Sequence, residues 1–225
     1  MYISHKYKLI YLRSPKTGSS SLSEFFIRNI PDPSAVYTPV EDSRIPGTVS
    51  PNLIAKYSAN YKFYHFTIED LIKEKLITEE QANTYKVVSV IRDPVDRQKS
   101  FFYFYGKWKG RGQPLNLNHY KAWAPNGYFQ GEPNSAIKQS DFLKLGDKYI
   151  GEFWLYEDLN YKVIELMKQL QIKIEHPLPS HKSNFRKARE NEITFDSEIM
   201  YKMLEVFAPD FETYNELKGL SLIHI

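Results

Sequence analysis

An α/β fold built on a central parallel sheet flanked by helices is what this sequence predicts, and three observations point to it. Short β-branched or aromatic runs alternate along the chain with stretches of helical periodicity, an order that implies right-handed β-α-β crossovers and helices on both faces of the sheet. The run Val87, Val88, Val90 and Ile91 is nearly continuous in its apolar character, as a strand buried on both faces must be. Two polar turns, at 14–21 and 92–97, each follow a predicted strand and lead into a predicted helix, and ligands of open α/β sheets bind beyond the carboxyl ends of strands. With 225 residues, the chain fits one domain, 1–225, carrying a long loop excursion at about 106–140.

The elements follow in order. Residues 7–13 are aromatic and β-branched enough for the first strand, and "SSSLSEFFIRNI" then sets Leu22, Phe25, Phe26 and Ile30 at helical spacing. Five prolines between 31 and 60 predict a looping segment. "YKFYHF" at 61–66 reads as a second strand, and Thr67, with Asp70 three residues on, opens a capped helix. The strand 87–91 is followed by Asp93 as N-cap and Pro94 at the first helical position, with a helix to about Tyr105. After the excursion, "EFWLYE" at 152–157 gives a fourth strand, and Asp158 caps a helix whose stripe is Leu159, Val163, Met167 and Leu170. Residues 177–192 form a basic polar loop before a late helix with Ile199, Met203 and Phe207 on one stripe.

Composition narrows the function classes. Thirty basic residues against 27 acidic ones leave a net charge of +3, too little for a duplex nucleic-acid partner, whose binding requires neutralising many phosphates. There is no cysteine, so disulfides, thiolate metal sites and cysteine nucleophiles are excluded, and no convincing metal-ligand cluster replaces them. His5, Lys6 and Lys8 interrupt the N-terminal stretch, which lacks the apolar core of a signal peptide, and no window reaches the ~20 apolar residues of a membrane span. A cytoplasmic protein with no membrane span is expected.

The turn "SPKTGSSS" joins a strand to a helix N-terminus, where backbone N–H groups and the helix dipole favour an anion. Gly18 permits close approach, Thr17, Ser19, Ser20 and Ser21 bring hydroxyl donors, and Lys16 brings a full charge. A nucleoside-triphosphate loop would place its lysine after the second glycine, next to a hydroxyl for magnesium. Here Lys16 precedes the glycine and no earlier glycine exists, which disfavours kinase chemistry.

The order Pro-Lys-Thr-Gly-Ser-Ser-Ser resembles the 5′-phosphosulfate loop of sulfotransferases that use 3′-phosphoadenylyl sulfate (PAPS). "VIRDPVDRQKS", with Arg92, Asp93, Pro94, Arg97 and Ser100, is similar to that family's 3′-phosphate motif, and "WLYEDLN" and "FAPDFETYNEL" resemble segments of the carbohydrate sulfotransferases, especially the heparan-sulfate 2-O type. The resemblance implies a P-loop-like three-layer sandwich, an enzyme needing no metal, and PAPS as donor with 3′,5′-adenosine bisphosphate as product. It implies that Lys16 contacts the oxygen bridging sulfonate and phosphate, that Thr17, Gly18, Ser19, Ser20 and Ser21 hold the 5′-phosphate, and that Arg92 and Ser100 bind the 3′-phosphate. Arg97 has two readings, a phosphate contact or a salt bridge to Asp93 that fixes the turn. By likeness to the late basic loop of other sulfotransferases, Arg186 and Lys187 would cover the nucleotide. Membrane-bound relatives carry an anchor and stem, whereas this sequence opens a few residues before its first predicted strand, so a catalytic core alone is expected.

Transfer to a hydroxyl needs a base opposite the leaving phosphate, and histidine is the type that titrates near neutral pH. His65, at the end of the second predicted strand, resembles the family's catalytic histidine; the alternative is a histidine hydrogen-bonded beneath the loop. Glu69 and Asp70 are candidates for the base or for orienting the ring, and His119 is the second histidine. In 106–140, Trp108, Tyr120, Trp123, Tyr128 and Phe129 are interleaved with five basic residues against one acid. Rings stack on sugar faces while cations meet sulfates or carboxylates, which points to a carbohydrate acceptor; a packing flap or an oligomer contact would use the same residues. Outside this class, an ATP-dependent kinase and a non-catalytic nucleotide-binding protein remain as alternatives.

Overall fold

The computed structural model describes residues 1–57, 62–109, 137–181 and 194–219. The chain forms two compact units, Met1–Ile91 with Gln139–His181, and Arg92–Lys138 with Lys182–Ile225.

The first unit is built on a five-stranded sheet. Its strands are β1 (Tyr2–Ser4), β2 (Leu9–Leu12), β3 (Val36–Tyr37), β4 (Lys86–Ile91) and β7 (Glu152–Leu155), in the order β3-β1-β2-β4-β7. Strands β2, β4 and β7 run parallel, with Ile10 beside Val87 and Val90 beside Trp154. Strand β1 is antiparallel to both β2 and β3, so the sheet is parallel at its heart and mixed at one edge. The strand expected at 7–13 is therefore the second arm of a hairpin. His5, Lys6 and Lys8, which break the apolar pattern, are its turn, with Lys8 in the left-handed region at φ 49°. Two more short strands, β5 (Lys144–Leu145) and β6 (Lys148–Tyr149), pair as a separate ribbon.

The strand expected at 61–66 is not one. Lys62–His65 is a 3₁₀ turn, and the burial pattern gives the reason: Phe63 and Phe66 are buried while Tyr64 and His65 are half-exposed. A spacing of three is that of a 3₁₀ turn, whereas a strand would alternate. The helix after it is as expected: in α3 (Ile68–Lys73) Thr67 and Asp70 form a reciprocal capping box.

Every residue of β4 from Val87 to Ile91 is buried, so both faces of the sheet are covered. On the face of Val88 and Val90, α1 (Ser19–Asn29) supplies Leu22, Phe25 and Phe26, and α6 (Leu159–Gln169) supplies Leu159, Val163 and Leu166 around Trp154. The remaining helices of this unit are α2 (Pro51–Lys56) and α4 (Glu79–Thr84). Asp158 sits at the N-cap of α6 but makes no side-chain cap bond.

Gly151, just ahead of β7, has φ 89°, and a Cβ there would stand 2.2 Å from the carbonyl oxygen of Val87. Gly151→Ala should lower unfolding stability by about 3 kcal/mol, from backbone strain added to a clash that β4 cannot relieve without leaving its ladder. Urea denaturation checks this, and an unchanged midpoint would show that β7 docks differently.

The second unit contains α5 (Pro94–Lys109), α7 (Ser197–Val206) and α8 (Ala208–Leu217). Helix α5 runs one turn beyond the expected end at Tyr105. Phe101 and Phe102 pack with Ile199 and Met203, the stripe read from the sequence. Most of the 106–140 excursion, including His119 and four of its five named aromatic residues, lies outside the described residues, as do Arg186 and Lys187.

Candidate active site

Parallel neighbours β2 and β4 end on the same edge of the sheet, at Leu12 and Ile91. Beyond Leu12 the chain turns sharply. The Ser14 N–H donates to the Leu12 carbonyl at 3.2 Å, and the Thr17 hydroxyl donates to the Ser14 carbonyl at 2.7 Å, closing a tight loop. Lys16 and Gly18, on either side of Thr17, both adopt left-handed backbone, at φ 65° and 74°. For a lysine that conformation costs roughly 1 kcal/mol, and strain of this kind collects at functional sites.

Gly18 is the N-cap of α1 and carries no side chain to satisfy the first-turn N–H groups, and no acid stands in that turn. Ser19, Ser20 and Ser21 are therefore the first three helical residues, with Ser19 and Ser21 buried. A Cβ at position 18 would meet the Tyr156 ring at 3.2 Å and Leu159 at 3.3 Å, so glycine is required by space as well as by φ. Among the described residues, the buried hydroxyl of Ser14 has no hydrogen-bond partner. An orphaned donor beside an uncapped helix start, a lysine and a glycine cradle fit a phosphate group.

Arg13, which belongs to no sequence motif, binds this loop together. Its Nη1 donates to the Thr38 hydroxyl at 3.1 Å and the Pro39 carbonyl at 2.9 Å, its Nη2 reaches the Ser20 hydroxyl at 3.4 Å, and its guanidinium lies 5.3 Å from the Tyr64 ring centre. The carbonyl of Arg13 is 2.7 Å from His65 Nδ1. A carbonyl only accepts, so Nδ1 carries the proton, and in a neutral ring the basic nitrogen is then Nε2, the form a general base needs. The structure thus places His65 against the first residue of the loop.

The two carboxylates near His65 have structural partners. Asp70 completes the Thr67 capping box and meets Lys62 at 2.7 Å, and Glu69 accepts the Gly146 N–H at 3.0 Å.

At His181, the last residue of the first unit along the chain, the backbone N–H donates to the Ser21 hydroxyl at 3.1 Å, and the ring Nε2 meets Glu24. Glu24 is buried, and its other oxygen is 2.6 Å from Arg28 Nε. Burial pushes the Glu24 carboxyl up, but His181, Arg28 and Ser43 outweigh it and hold the group below the ordinary carboxylate range.

In the second unit, Asp93 caps α5 as expected, accepting the Asp96 N–H at 2.7 Å. Arg92 Nε and Nη2 both lie 2.5 Å from Asp96, an i to i+4 partner that the spacing alone could have revealed. Ser100 is half-exposed two turns further on. Arg97 is fully buried: its Nη2 donates to the Ile137 carbonyl at 2.6 Å, its Nη1 is 3.8 Å from the buried Asp210, and its guanidinium packs on Phe101 and Phe207 at 5.1 and 5.9 Å. Burial pulls its pKa down to about 10, with Asp210 opposing. This is the geometry of a structural arginine.

Among the described residues, no group of three His, Asp or Glu side chains is placed to hold a metal, and no helix is long and apolar enough to cross a membrane.

A family described as "Sulfotransferase family" matches residues 1–215. No curated protein matches the chain. Among solved structures, a sulfotransferase from Alicyclobacillus acidocaldarius is similar at 13% identity, over 96% of this chain and 97% of its own, with a TM-score of 0.47.

Proposed function

The chain belongs to the sulfotransferase family, and from that premise we propose that it transfers the sulfonate of PAPS to a hydroxyl, on a carbohydrate acceptor, by in-line attack at sulfur. The observation that carries the reading is the 13–21 loop, where a strained lysine, a glycine cradle and an uncapped helix start converge, with His65 bonded to the residue that opens it. In this reading His65 Nε2 takes the acceptor's proton as its oxygen bonds to sulfur. The bond from sulfur to the phosphate oxygen breaks, and Lys16 neutralises the charge left on that oxygen. Thr17 to Ser21 hold the 5′-phosphate, and Arg92 and Ser100 take the 3′-phosphate. Arg186 and Lys187 supply further cations to the nucleotide. The carbohydrate is supported by the aromatic and basic side chains interleaved through 106–140.

Thermal unfolding in the presence of 3′,5′-adenosine bisphosphate, ATP or neither tests the donor. Bisphosphate at 100 times its Kd should stabilise the chain by about 2.7 kcal/mol, and ATP should act more weakly. Stabilisation by ATP alone would replace this reading with a kinase, and no shift with either would remove the nucleotide.

A further inference from the structure

A serine hydroxyl has one proton and two lone pairs, and what a neighbour takes from it decides what it can give. In the first turns of a helix, serine commonly turns its proton back to the carbonyl four residues earlier, which for Ser21 is Thr17. The His181 N–H occupies a lone pair of the Ser21 hydroxyl, so the Ser21 proton is the part left to donate, and a donor already accepting a hydrogen bond is polarised toward donating one. The His181 backbone is held there by its own ring, clamped to Glu24 one turn beyond Ser21, and Glu24 is fixed in turn by Arg28 on its other oxygen. Both Ser21 and Glu24 are buried, so neither contact is a surface pairing diluted by water.

We propose that His181 is a positioning residue for the sulfonate donor: through Glu24 it holds its backbone N–H on Ser21 and so aims the Ser21 hydroxyl at the 5′-phosphate. This rests on reading the 13–21 loop as that phosphate's cradle, and it assigns a role to a residue far from the motif in sequence.

The test is the Kd of 3′,5′-adenosine bisphosphate, by calorimetry, for the intact chain and for Ser21→Ala, His181→Ala, His181→Gln and Ser21→Ala/His181→Ala. Ser21→Ala should weaken binding about tenfold, the loss of one hydrogen bond to a charged group, and His181→Ala should approach that value. The double variant should be no weaker than Ser21→Ala, because His181 acts only through Ser21. His181→Gln, whose amide can still donate to Glu24, should recover most of the affinity. With donor saturating, kcat should stay within about twofold for His181→Ala while the donor KM rises, a split that general destabilisation would not give. Glu24→Gln gives a second route to the same loosening and should shift Kd in the same direction. Native affinity in His181→Ala, or a loss that multiplies in full with that of Ser21→Ala, would overturn the proposal. An intact chain that binds no bisphosphate would overturn the cradle itself, and the two failures are told apart by that first measurement.

Discussion

Lys16→Ala should lower kcat for sulfonate transfer by about 10²–10³-fold, the usual cost of removing one preorganised group from a developing negative charge. The backbone argues for a role beyond binding. Lys16 holds a left-handed conformation that disfavours any side chain except glycine, so Lys16→Ala leaves the strain in place and removes only the ammonium. The fold should therefore survive, and the loss should fall on kcat more than on the donor KM. His65→Ala provides the companion measurement. Loss of a general base costs roughly 10²–10⁴-fold, and the pH dependence below neutrality should flatten with it, because the group that must deprotonate is gone. Steady-state assays with PAPS across pH decide both. Turnover unchanged in the two variants would mean that neither group touches the reacting atoms.

Asp210→Ala should lower the stability of the folded chain by about 3–5 kcal/mol, because it removes the carboxylate that faces the buried Arg97 guanidinium. Both partners are buried, and the guanidinium carries its charge at neutral pH even though burial brings its pKa to about 10. The cost belongs to the orphaned charge rather than to the pair. Removing both groups with apolar residues of similar volume, as in Arg97→Met/Asp210→Leu, should restore most of the stability. Chemical denaturation of the single and double variants measures the difference. The double variant should also keep its affinity for 3′,5′-adenosine bisphosphate, because Arg97 turns its guanidinium to the Ile137 carbonyl and to Asp210. A folded double variant with weakened bisphosphate binding would instead place Arg97 among the phosphate ligands.

Local chemistry was readable in the sequence where it involved residues close along the chain. The loop from Ser14 to Ser21, the Thr67–Asp70 capping box and the Asp93 cap before Pro94 are each contained within a few positions, and their residue types admit few conformations. A nearly continuous apolar run also identified β4, and helical spacing the stripes of α1 and α6. What stayed hidden depends on partners brought together by the fold. Tyr2–Ser4 is too short to read as a strand until β2 and β3 lie on either side of it. Phe63 and Phe66 share the composition of a strand, and only their burial at a spacing of three reveals the 3₁₀ turn. Arg13 looked like an ordinary basic residue at a strand end, and nothing local says that its carbonyl receives the imidazole of a residue 52 positions later. Arg97 matched a motif, but its ion pair waits on a helix near the other end of the chain.

The contact of Gly18 with Tyr156 and Leu159 also bears on the order of assembly. The loop sequence leaves the ribosome well before Tyr156 and Leu159, the residues that wall its glycine, and domains emerge N-terminal part first. A nascent chain therefore holds the complete motif long before it holds the cradle. In the proposed reading, anion binding therefore waits until β7 has paired beside β4 and Tyr156 stands against Gly18, so the loop matures late although it is synthesised early.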